Sequence, residues 1–429
     1  MIKGYFKRIA KQEFYRKIFT VFSGTSISQA IPILLMPVLT RIFPEKIFGI
    51  FFIYSSALLI LKVFATLKYE MAIFLAKNEE ESVNILALCG IITLIITALL
   101  WGVFSIFPST IVNIIDEPGL KRWLPFLPLS VLFVGFIQAL NHFNNRNKKF
   151  IISSYGKVIK SSSGSLYQLV SGFLGHKTTG LIYGLIAGQF FSFIYLITKT
   201  LKKYKQLLKY ISLKKMISLG KQYKRIPLYN TLIAVINTLS NHIPIFLLTK
   251  YFGAAQTSQY GLAVRVIRTP MGLIQQSFGE VFFQEASQIH NNKQDILNYV
   301  KKTYMRLFKI GIVPFIIAGI SAPFLFKFIF GDNWELAGRF TQVLIPWIFL
   351  TFLNAPISNV ITILHNQHKL LVYNILLLIS RFVALYIGYS VFNSVFISIL
   401  LFSTIGFVFN IFLLFFILLT SKQRRWKIT

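Results

Sequence analysis

Acidic residues, cysteine and histidine are all scarce in this sequence. Its 429 residues include 13 Asp and Glu, six His and a single cysteine, Cys89. One cysteine excludes an intramolecular disulfide framework and a thiolate metal cluster, and the six histidines are scattered without metal-ligand spacing. We therefore expect neither a metal site nor a bound cofactor.

Charged residues as a whole are also few, and hydrophobic residues dominate. The chain is 55% hydrophobic, 16% aromatic and 14% charged, with a mean hydropathy of +0.64. An ordinary soluble domain has more charged residues than this. The 45 Lys and Arg give a net charge of +32, but a soluble nucleic-acid binder with that charge would also have more polar surface. The composition indicates a membrane protein and argues against nucleic acid as a partner.

Twelve apolar runs are long enough to cross a bilayer as helices. About 20 residues suffice, because a helix rises about 1.5 Å per residue and the hydrocarbon layer is about 30 Å thick. Helices are favoured over a barrel because the runs are continuously apolar, whereas barrel strands alternate. The runs lie at 18–40, 48–66, 83–107, 123–141, 151–173, 178–198, 226–249, 258–284, 308–329, 337–364, 370–389 and 394–420. The fifth run contains two lysines and several serines, so we expect it to face a cavity or the interface.

Lysine and arginine are concentrated in alternate loops, which predicts the orientation. With both termini inside, 33 of the 45 basic residues are cytoplasmic and 7 are external. The longest hydrophilic stretch, 201–225, is a basic amphipathic connector that should lie on the anionic inner leaflet. It divides the chain into an N-terminal six-helix lobe (1–200) and a C-terminal six-helix lobe (226–429).

The two lobes share an internal repeat. The sequence LTRIF at 39–43 corresponds to LTKYF at 248–252, and Glu70 corresponds to Glu280 with a displacement of 210. Both copies begin a pair of spans from the same side of the membrane. The repeat is therefore parallel, with a pseudo-twofold axis along the membrane normal.

Two blocks of the sequence are similar to a known family. Residues 37–82, PVLTRIFPEKIFGIFFIYSSALLILKVFATLKYEMAIFLAKNEEES, resemble the N-terminal signature of the bacterial polysaccharide-biosynthesis membrane proteins, the Wzx-like oligosaccharide flippases. Residues 326–369, FKFIFGDNWELAGRFTQVLIPWIFLTFLNAPISNVITILHNQHK, resemble the corresponding block of the second half. The patterns L-T-R-x-F…F-G and F-G-x-x-W-x-x-A-G give the resemblance its specificity.

That resemblance implies a fold, a substrate class and a location. The fold is that of the multidrug/oligosaccharidyl-lipid/polysaccharide exporter superfamily, with two six-helix lobes around a central cavity. The substrate is a polyprenyl-pyrophosphate-linked oligosaccharide, moved across the bacterial cytoplasmic membrane for O-antigen or capsule synthesis. Expected partners are membrane lipids, H+ or Na+ as the coupling ion, and other polysaccharide-assembly membrane proteins. The protein is expected not to be an enzyme.

Three arginines lie where hydrocarbon does not tolerate an unpaired charge. Arg265 and Arg268 share a face of the eighth run, at depths of about 10 Å and about 15 Å. Arg381 falls near the middle of the eleventh run. Each could bind the pyrophosphate, or it could snorkel or pair within the protein. Pro270 follows Arg268 and removes a backbone donor, which suggests a kink in a gating helix.

Amide side chains form polar stripes on several of the predicted spans. Such stripes could line a sugar-binding cavity, or they could hydrogen-bond neighbouring helices. The candidates are Asn230, Asn237, Asn241, Gln275, Gln276 and Gln29.

Two acidic residues near or within the spans are candidates for proton coupling. Burial raises the pKa of a carboxyl group, so Glu70 or Glu280 could exchange a proton as the cavity opens. Alternatively, both could form salt bridges with cytoplasmic lysines. We favour the structural role for Glu70 because it follows Lys68.

Two other functions compete with the flippase. A multidrug exporter of the same fold needs a carboxylate near the middle of the N-terminal spans to hold its cation, and the sequence has none there. A polytopic glycosyltransferase or polysaccharide polymerase needs catalytic residues in a large outer loop. The longest outer loop, about 108–121, offers only Asp116 and Glu117 as acids.

Overall fold

The protein is helical throughout the part of the chain that the structure describes. The computed structural model describes residues 24–292, 294–364 and 366–423, and no strand occurs in these ranges. The side chains of Gln276 and Glu280 lie outside the described part. So do the predicted cytoplasmic start of the chain and most of its basic C-terminal tail.

By its internal contacts, the chain divides into two compact units, Met1–Thr238 and Leu239–Thr429. The boundary falls inside the run predicted at 226–249. The described residues of the first unit, from 24 onward, form eight helices before α9: α1 Gly24–Ile42, α2 Glu45–Leu61, α3 Glu79–Ile106, α4 Pro108–Ile115, α5 Phe126–Arg146, α6 Phe150–Phe173, α7 Gly180–Tyr204 and α8 Leu213–Gln222. Short 3-10 helices occupy Tyr69–Leu75, Pro118–Trp123 and Lys205–Tyr210, and a π-helical turn covers Pro227–Thr231.

Six more helices follow in the described part of the chain. They are α9 Leu232–Asn291, α10 Ile296–Phe330, α11 Glu335–Ile357, α12 Asn359–Ile363, α13 Gln367–Ser390 and α14 Val395–Gln423. Helix α9 starts before the boundary and breaks at Gly253, whose φ of 83° lies in the left-handed region that favours glycine. The break separates the seventh predicted run from the eighth.

Nine helices in the described ranges are long and apolar enough to cross a membrane. Helix α2 is not among them, because it has only 17 residues. Nor is α6, the run with two lysines and several serines. Pro227–Gln275 counts as one candidate across Gly253. The protein is a multi-pass membrane protein, and the number of twelve spans stays a prediction.

The second family-like block, residues 326–369, contains a turn before α11. Gly331 has a φ of 111°, which only glycine adopts without strain, and a single 3-10 turn, Asp332–Trp334, follows it. The side chain of Gln259 holds this turn by two hydrogen bonds. Its Nε2 donates to the carbonyl oxygen of Asn333 at 2.9 Å, and its Oε1 accepts from the backbone N–H of Ala337 at 3.1 Å. The F-G-x-x-W-x-x-A-G pattern therefore encodes a buried helix start.

The order of helix packing is the same in the two units. In the first, α3 packs against α5, α5 against α7, and α6 against α7. In the second, α10 packs against α11, α11 against α14, and α13 against α14. Each unit also has an apolar cluster at the start of its second helix pair, containing Ile85 and Ile296 respectively.

Buried amide bonds repeat in the two units at the displacement of 210. Asn144 on α5 donates to the hydroxyl of Thr200 on α7 at 2.8 Å. Asn354 on α11 donates to the backbone carbonyl of Asn410 on α14 at 2.8 Å. All four residues are buried. Sites 144 and 200 correspond to sites 354 and 410, so the repeat that the landmarks indicated extends to the contacts that join the helices.

Removing either of these amide side chains should destabilise its unit by a similar amount. Asn144→Ala and Asn354→Ala should each lower the free energy of unfolding by about 1 kcal/mol, the usual size of an intramembrane side-chain hydrogen bond. Thermal melting in detergent should show both losses, and they should add in the double variant because the two bonds share no partner. Thr404→Ala is the control, since this exposed hydroxyl bonds only to its own helix at Leu400. Unchanged melting of both amide variants would refute a structural role.

Candidate functional site: an arginine and tryptophan cluster

Two of the three predicted arginines meet at one tryptophan of the second unit. Arg268 lies on α9 beyond the Gly253 break, Arg381 lies in the middle of α13, and Trp347 lies on α11. The guanidinium carbon of Arg268 is 4.7 Å from the centroid of the indole ring, and that of Arg381 is 4.6 Å away. Three helices therefore bring two cations to a single aromatic ring.

Arg381 is the more deeply placed of the two and is fixed by hydrogen bonds. Its side chain is only 2% exposed. Nη1 donates to the carbonyl oxygen of Ser240 at 3.2 Å and to its hydroxyl at 3.0 Å. The guanidinium also lies 4.8 Å from the ring centroid of Phe402. Its Nε has no hydrogen-bond partner among the described residues, so part of its donor capacity is unused.

Arg268 is held more loosely. It is half-buried, and it donates one long hydrogen bond, of 3.3 Å, to the amide oxygen of Asn241. A guanidinium has five N–H donors, so most of them remain available for a ligand.

The wall around the two arginines is aromatic. Trp347 and Phe402 are both buried and pack edge to face with centroids 5.1 Å apart, and Tyr260 packs against Phe402 at 6.2 Å. Aromatic faces attract guanidinium groups, more strongly where water is excluded. These contacts partly compensate the burial of two positive charges.

No carboxylate of the described residues neutralises the cluster. The ion pairs recorded for the described side chains join Lys68 to Glu70, Lys215 to Glu80, Lys327 to Asp332 and Arg339 to Glu335, and none includes Arg268 or Arg381. The buried guanidinium of Arg381 and the half-buried one of Arg268 have no carboxylate partner among the described residues, so they repel one another and their positive potential attracts anions. Their roles in binding a pyrophosphate stay predictions.

Arg265 and Pro270 are placed differently from the two clustered arginines. Arg265 is half-buried one turn before Arg268, and its carbonyl accepts from the Thr269 hydroxyl at 2.7 Å. Pro270 is exposed. The non-helical dihedral angles in α9 lie at Gly253 and not at Pro270. The roles of Arg265 in binding and of Pro270 in gating stay predictions.

The predicted amides whose side chains are described have different surroundings. The amide oxygen of Asn241 accepts from Nη1 of Arg268 at 3.3 Å. Gln275 donates to the carbonyl of Thr351 at 3.3 Å, a contact between helices. Asn230 contacts the sulfur of Met71 at 3.6 Å in the first unit, Asn237 is exposed, and Gln29 is half-buried on α1. Gln276 lies outside the described side chains.

Glu70 has the structural partners that its position after Lys68 suggested. It is 2% exposed, accepts a short hydrogen bond from the Thr66 hydroxyl, and lies 3.7 Å from the ammonium of Lys68. These contacts favour the structural role over proton exchange. Glu280, its repeat-related counterpart, has a side chain outside the described part, and its coupling role stays a prediction.

The sequence reasoning missed the tryptophan that joins the arginines. Trp347 lies in the second family-like block, but neither its spacing nor its neighbours indicated a cation contact. On the serine-rich α6, Lys157 donates to the hydroxyl of Thr25 on α1 at 3.0 Å. The position of this helix at a cavity or at the interface stays a prediction.

Three solved structures that share this fold are described as transporters or as a flippase. An inward-facing multidrug resistance MATE family transporter of the MOP superfamily aligns with a TM-score of 0.71, at 12% identity, over 95% of this chain and 96% of its own. The lipid II flippase MurJ in an inward closed conformation aligns with a TM-score of 0.73, at 16% identity, over 94% and 87%. A MOP superfamily transporter from Pyrococcus furiosus, described as having a binding pocket of reverse polarity, aligns with a TM-score of 0.66, at 15% identity, over 94% of this chain and 95% of its own.

At these identities the alignments establish the fold alone, which the chain shares with these three proteins. No curated protein sequence matches the chain significantly. The model of one protein family does match it, over residues 38–338, and this range includes the L-T-R-x-F block, the connector, Arg268 and the turn at Gly331. The chain therefore belongs to the polysaccharide biosynthesis protein family.

Proposed function

We propose that this protein is a flippase for a polyprenyl-pyrophosphate-linked oligosaccharide. It would move this lipid from the inner to the outer leaflet of the bacterial cytoplasmic membrane by alternating access, for the synthesis of a surface polysaccharide such as O-antigen or capsule. Membership of the polysaccharide biosynthesis protein family supports a role in the synthesis of a surface polysaccharide. The fold shared with a lipid II flippase supports a lipid-linked substrate.

The observation on which the proposal rests is the pair of guanidinium groups at Trp347. A pyrophosphate cannot cross hydrocarbon without a counter-charge, because a bare charge at the midplane costs several kcal/mol even on lenient scales. Arginine suits this substrate, since its planar fork donates two parallel hydrogen bonds to phosphate oxygens and remains protonated. Arg268 would make the first contact, and Arg381 would add its charge from the buried side.

Transport also requires release. The outward-open state must bind the head group less tightly than the inward-open state, because a ligand shifts a conformational equilibrium only through differential affinity. Arg268 sits on α9 beyond the Gly253 break, and Trp347 sits on α11, so a movement of one helix against the other would separate the guanidinium from the ring. The polyprenyl tail would stay in lipid, and amides such as Asn241 would contact the sugars.

A multidrug exporter is the alternative, supported by the similarity to a MATE family transporter. A cationic drug requires an anionic or neutral pocket. Arg268 and Arg381 make the described cluster strongly positive, so the anionic lipid is favoured.

A polytopic glycosyltransferase or polymerase is less well supported. Of the two acids in its best outer loop, Glu117 is 4% exposed and its carboxylate accepts from the amide of Gly119 at 3.0 Å. That carboxylate therefore caps a turn. Asp116 is exposed and ends α4 in a left-handed conformation with a φ of 59°.

Deleting the gene for this protein tests the proposal directly. The strain should lose its surface glycan and accumulate the polyprenyl-pyrophosphate-linked oligosaccharide on the cytoplasmic leaflet, where an externally added glycosidase cannot reach it in intact cells. Its sensitivity to cationic drugs should be unchanged. Normal surface glycan together with increased drug sensitivity would instead establish the exporter.

Glu280, Glu70 and the coupling ion stay predictions within this proposal. If Glu280 exchanges the coupling ion, H+ or Na+, then Glu280→Gln should impair transport, because the amide has the shape of the carboxyl group but cannot ionise. Other polysaccharide-assembly membrane proteins would receive the product at the outer leaflet.

A further inference from the structure

The basic connector between the two halves is fixed to the first unit by one buried asparagine. Asn84 on α3 is completely buried. Its amide donates to the carbonyl of Tyr210 at 2.9 Å, and its oxygen accepts from the backbone amide of Ser212 at 2.9 Å. The two bonds hold the chain at the point where the 3-10 helix Lys205–Tyr210 ends and α8 begins.

One face of α8 is buried against the first unit, so the orientation of the helix is defined. Met216 and Leu219 are 6% exposed, and Leu219 belongs to the apolar cluster around Cys89. The Tyr69 hydroxyl donates to the carbonyl of Gly220 at 2.9 Å, and the Tyr223 hydroxyl donates to that of Leu75 at 3.2 Å. Burial and the nearby Glu81 raise the pKa of Tyr223, so its hydroxyl stays a donor.

A second flank of the same helix is apolar but exposed. Leu213 and Ile217, four residues apart and therefore neighbours on the helix surface, are 65% and 51% exposed. Lys221 follows one turn further on, and Lys214 lies beside the stripe; both are exposed. The remaining flank is polar, and there Lys215 pairs with Glu80 on α3.

The charge of the segment indicates what covers the exposed flank. Residues 199–225 contain ten Lys and Arg and no Asp or Glu. The positive-inside rule places this segment on the cytoplasmic side, where the leaflet carries anionic lipids. An apolar stripe bordered by lysines is the composition of a helix that lies in the membrane interface.

We propose that α8 is an interfacial helix that binds anionic phospholipid. Leu213 and Ile217 enter the boundary between headgroups and acyl chains, and Lys214 and Lys221 bind the headgroup phosphates. Because Asn84 and the buried face fix α8 to the first unit, bound lipid sets the depth of that unit in the membrane. This inference is independent of the transported substrate.

A depth measurement tests the apolar half of the proposal. Cys89 is buried and is the only cysteine of the chain, so a single introduced thiol can be labelled selectively in the full-length protein. In vesicles of mixed phosphatidylglycerol and phosphatidylcholine, a fluorophore on Ile217→Cys should be quenched by a shallow spin-labelled lipid. The same fluorophore on the control Ser218→Cys, one position round the helix, should be quenched by a soluble agent instead. Equal access of both positions to the soluble agent would overturn the proposal.

A lipid titration tests the lysines. Binding of short-chain phosphatidylglycerol to the detergent-solubilised protein should weaken about 5-fold for each of Lys214→Gln and Lys221→Gln, since one basic residue near an anionic surface contributes about 1 kcal/mol. The double variant Lys177→Gln/Lys215→Gln removes the same charge from an external loop and from the Glu80 pair, and it should bind as the unchanged protein does. A loss in Lys177→Gln/Lys215→Gln as large as that in the double variant Lys214→Gln/Lys221→Gln would show non-specific charge attraction, and no loss in Lys214→Gln/Lys221→Gln would show that this flank does not bind lipid. Either result would refute the proposal.

Discussion

Replacing Arg268 by alanine is expected to abolish glycan export. The guanidinium lies at Trp347 with one long bond to Asn241, so its loss should leave the helix packing intact while removing the first contact to the pyrophosphate. Loss of a charge-assisted contact in a desolvated site costs about 2–5 kcal/mol, which corresponds to a decrease in transport rate of about 30-fold or more. Complementation of a deletion strain, scored by surface glycan, measures it.

The lysine variant at the same position separates charge from geometry. Arg268→Lys keeps a positive charge but loses the bidentate fork and the planar contact with the indole ring. Export should recover to roughly a tenth of normal, since a point charge still attracts the phosphates. Full export by Arg268→Lys would show that the site recognises the positive charge and not the bidentate geometry.

Arg339→Ala is the matched control for Arg268. This arginine belongs to the same unit, but it is exposed and pairs with Glu335 one turn away at 2.8 Å. An exposed pair of this kind contributes about 0–1 kcal/mol, so membrane insertion and export should be normal. Full complementation by correctly inserted Arg268→Ala protein would refute the anion site, while the flippase assignment would still rest on the family and on the deletion strain.

Arg381→Met is expected to eliminate export without unfolding the protein. Methionine fills similar space beside Trp347 and Phe402, and replacing a buried charge by an apolar side chain is often neutral or stabilising. The melting temperature in detergent should therefore stay within a few degrees, while surface glycan falls about 10-fold or more because the second charge is gone. Normal export by Arg381→Met, whether or not its melting temperature changes, would show that Arg381 has only a structural role.

Ser240→Ala controls for the packing of Arg381. It removes the hydroxyl that accepts from Nη1 at 3.0 Å but leaves the backbone carbonyl bond and the charge. Export should remain close to normal. If Ser240→Ala reduced export as severely as Arg381→Met, the exact placement of the guanidinium, and not its charge alone, would limit transport.

Several properties of this protein follow from the sequence alone. Continuous apolar runs can bury their backbone groups in lipid only as helices, so composition and run length determined a helical membrane protein. The displacement of 210 between Glu70 and Glu280 recurs in the buried bonds of Asn144 and Asn354, because duplicated residues occupy duplicated positions. Arg268 and Arg381 could be selected because hydrocarbon excludes unpaired charge regardless of the fold.

The tertiary structure decided which of the candidates act together. Arg268 and Arg381 lie on different helices, so helical spacing gives no reason to pair them, yet their guanidinium carbons lie 4.7 Å and 4.6 Å from the ring centroid of Trp347. By sequence Glu70 could be a proton carrier or a structural acid, and its contacts with Thr66 and Lys68 favour the structural role. Likewise, the amphipathic connector showed a basic and an apolar side, but only its packing through Met216 and Leu219 left Leu213 and Ile217 exposed. Periodicity fixes which residues share a helix face, whereas contacts between distant segments depend on how whole helices pack, and a single sequence does not specify those distances.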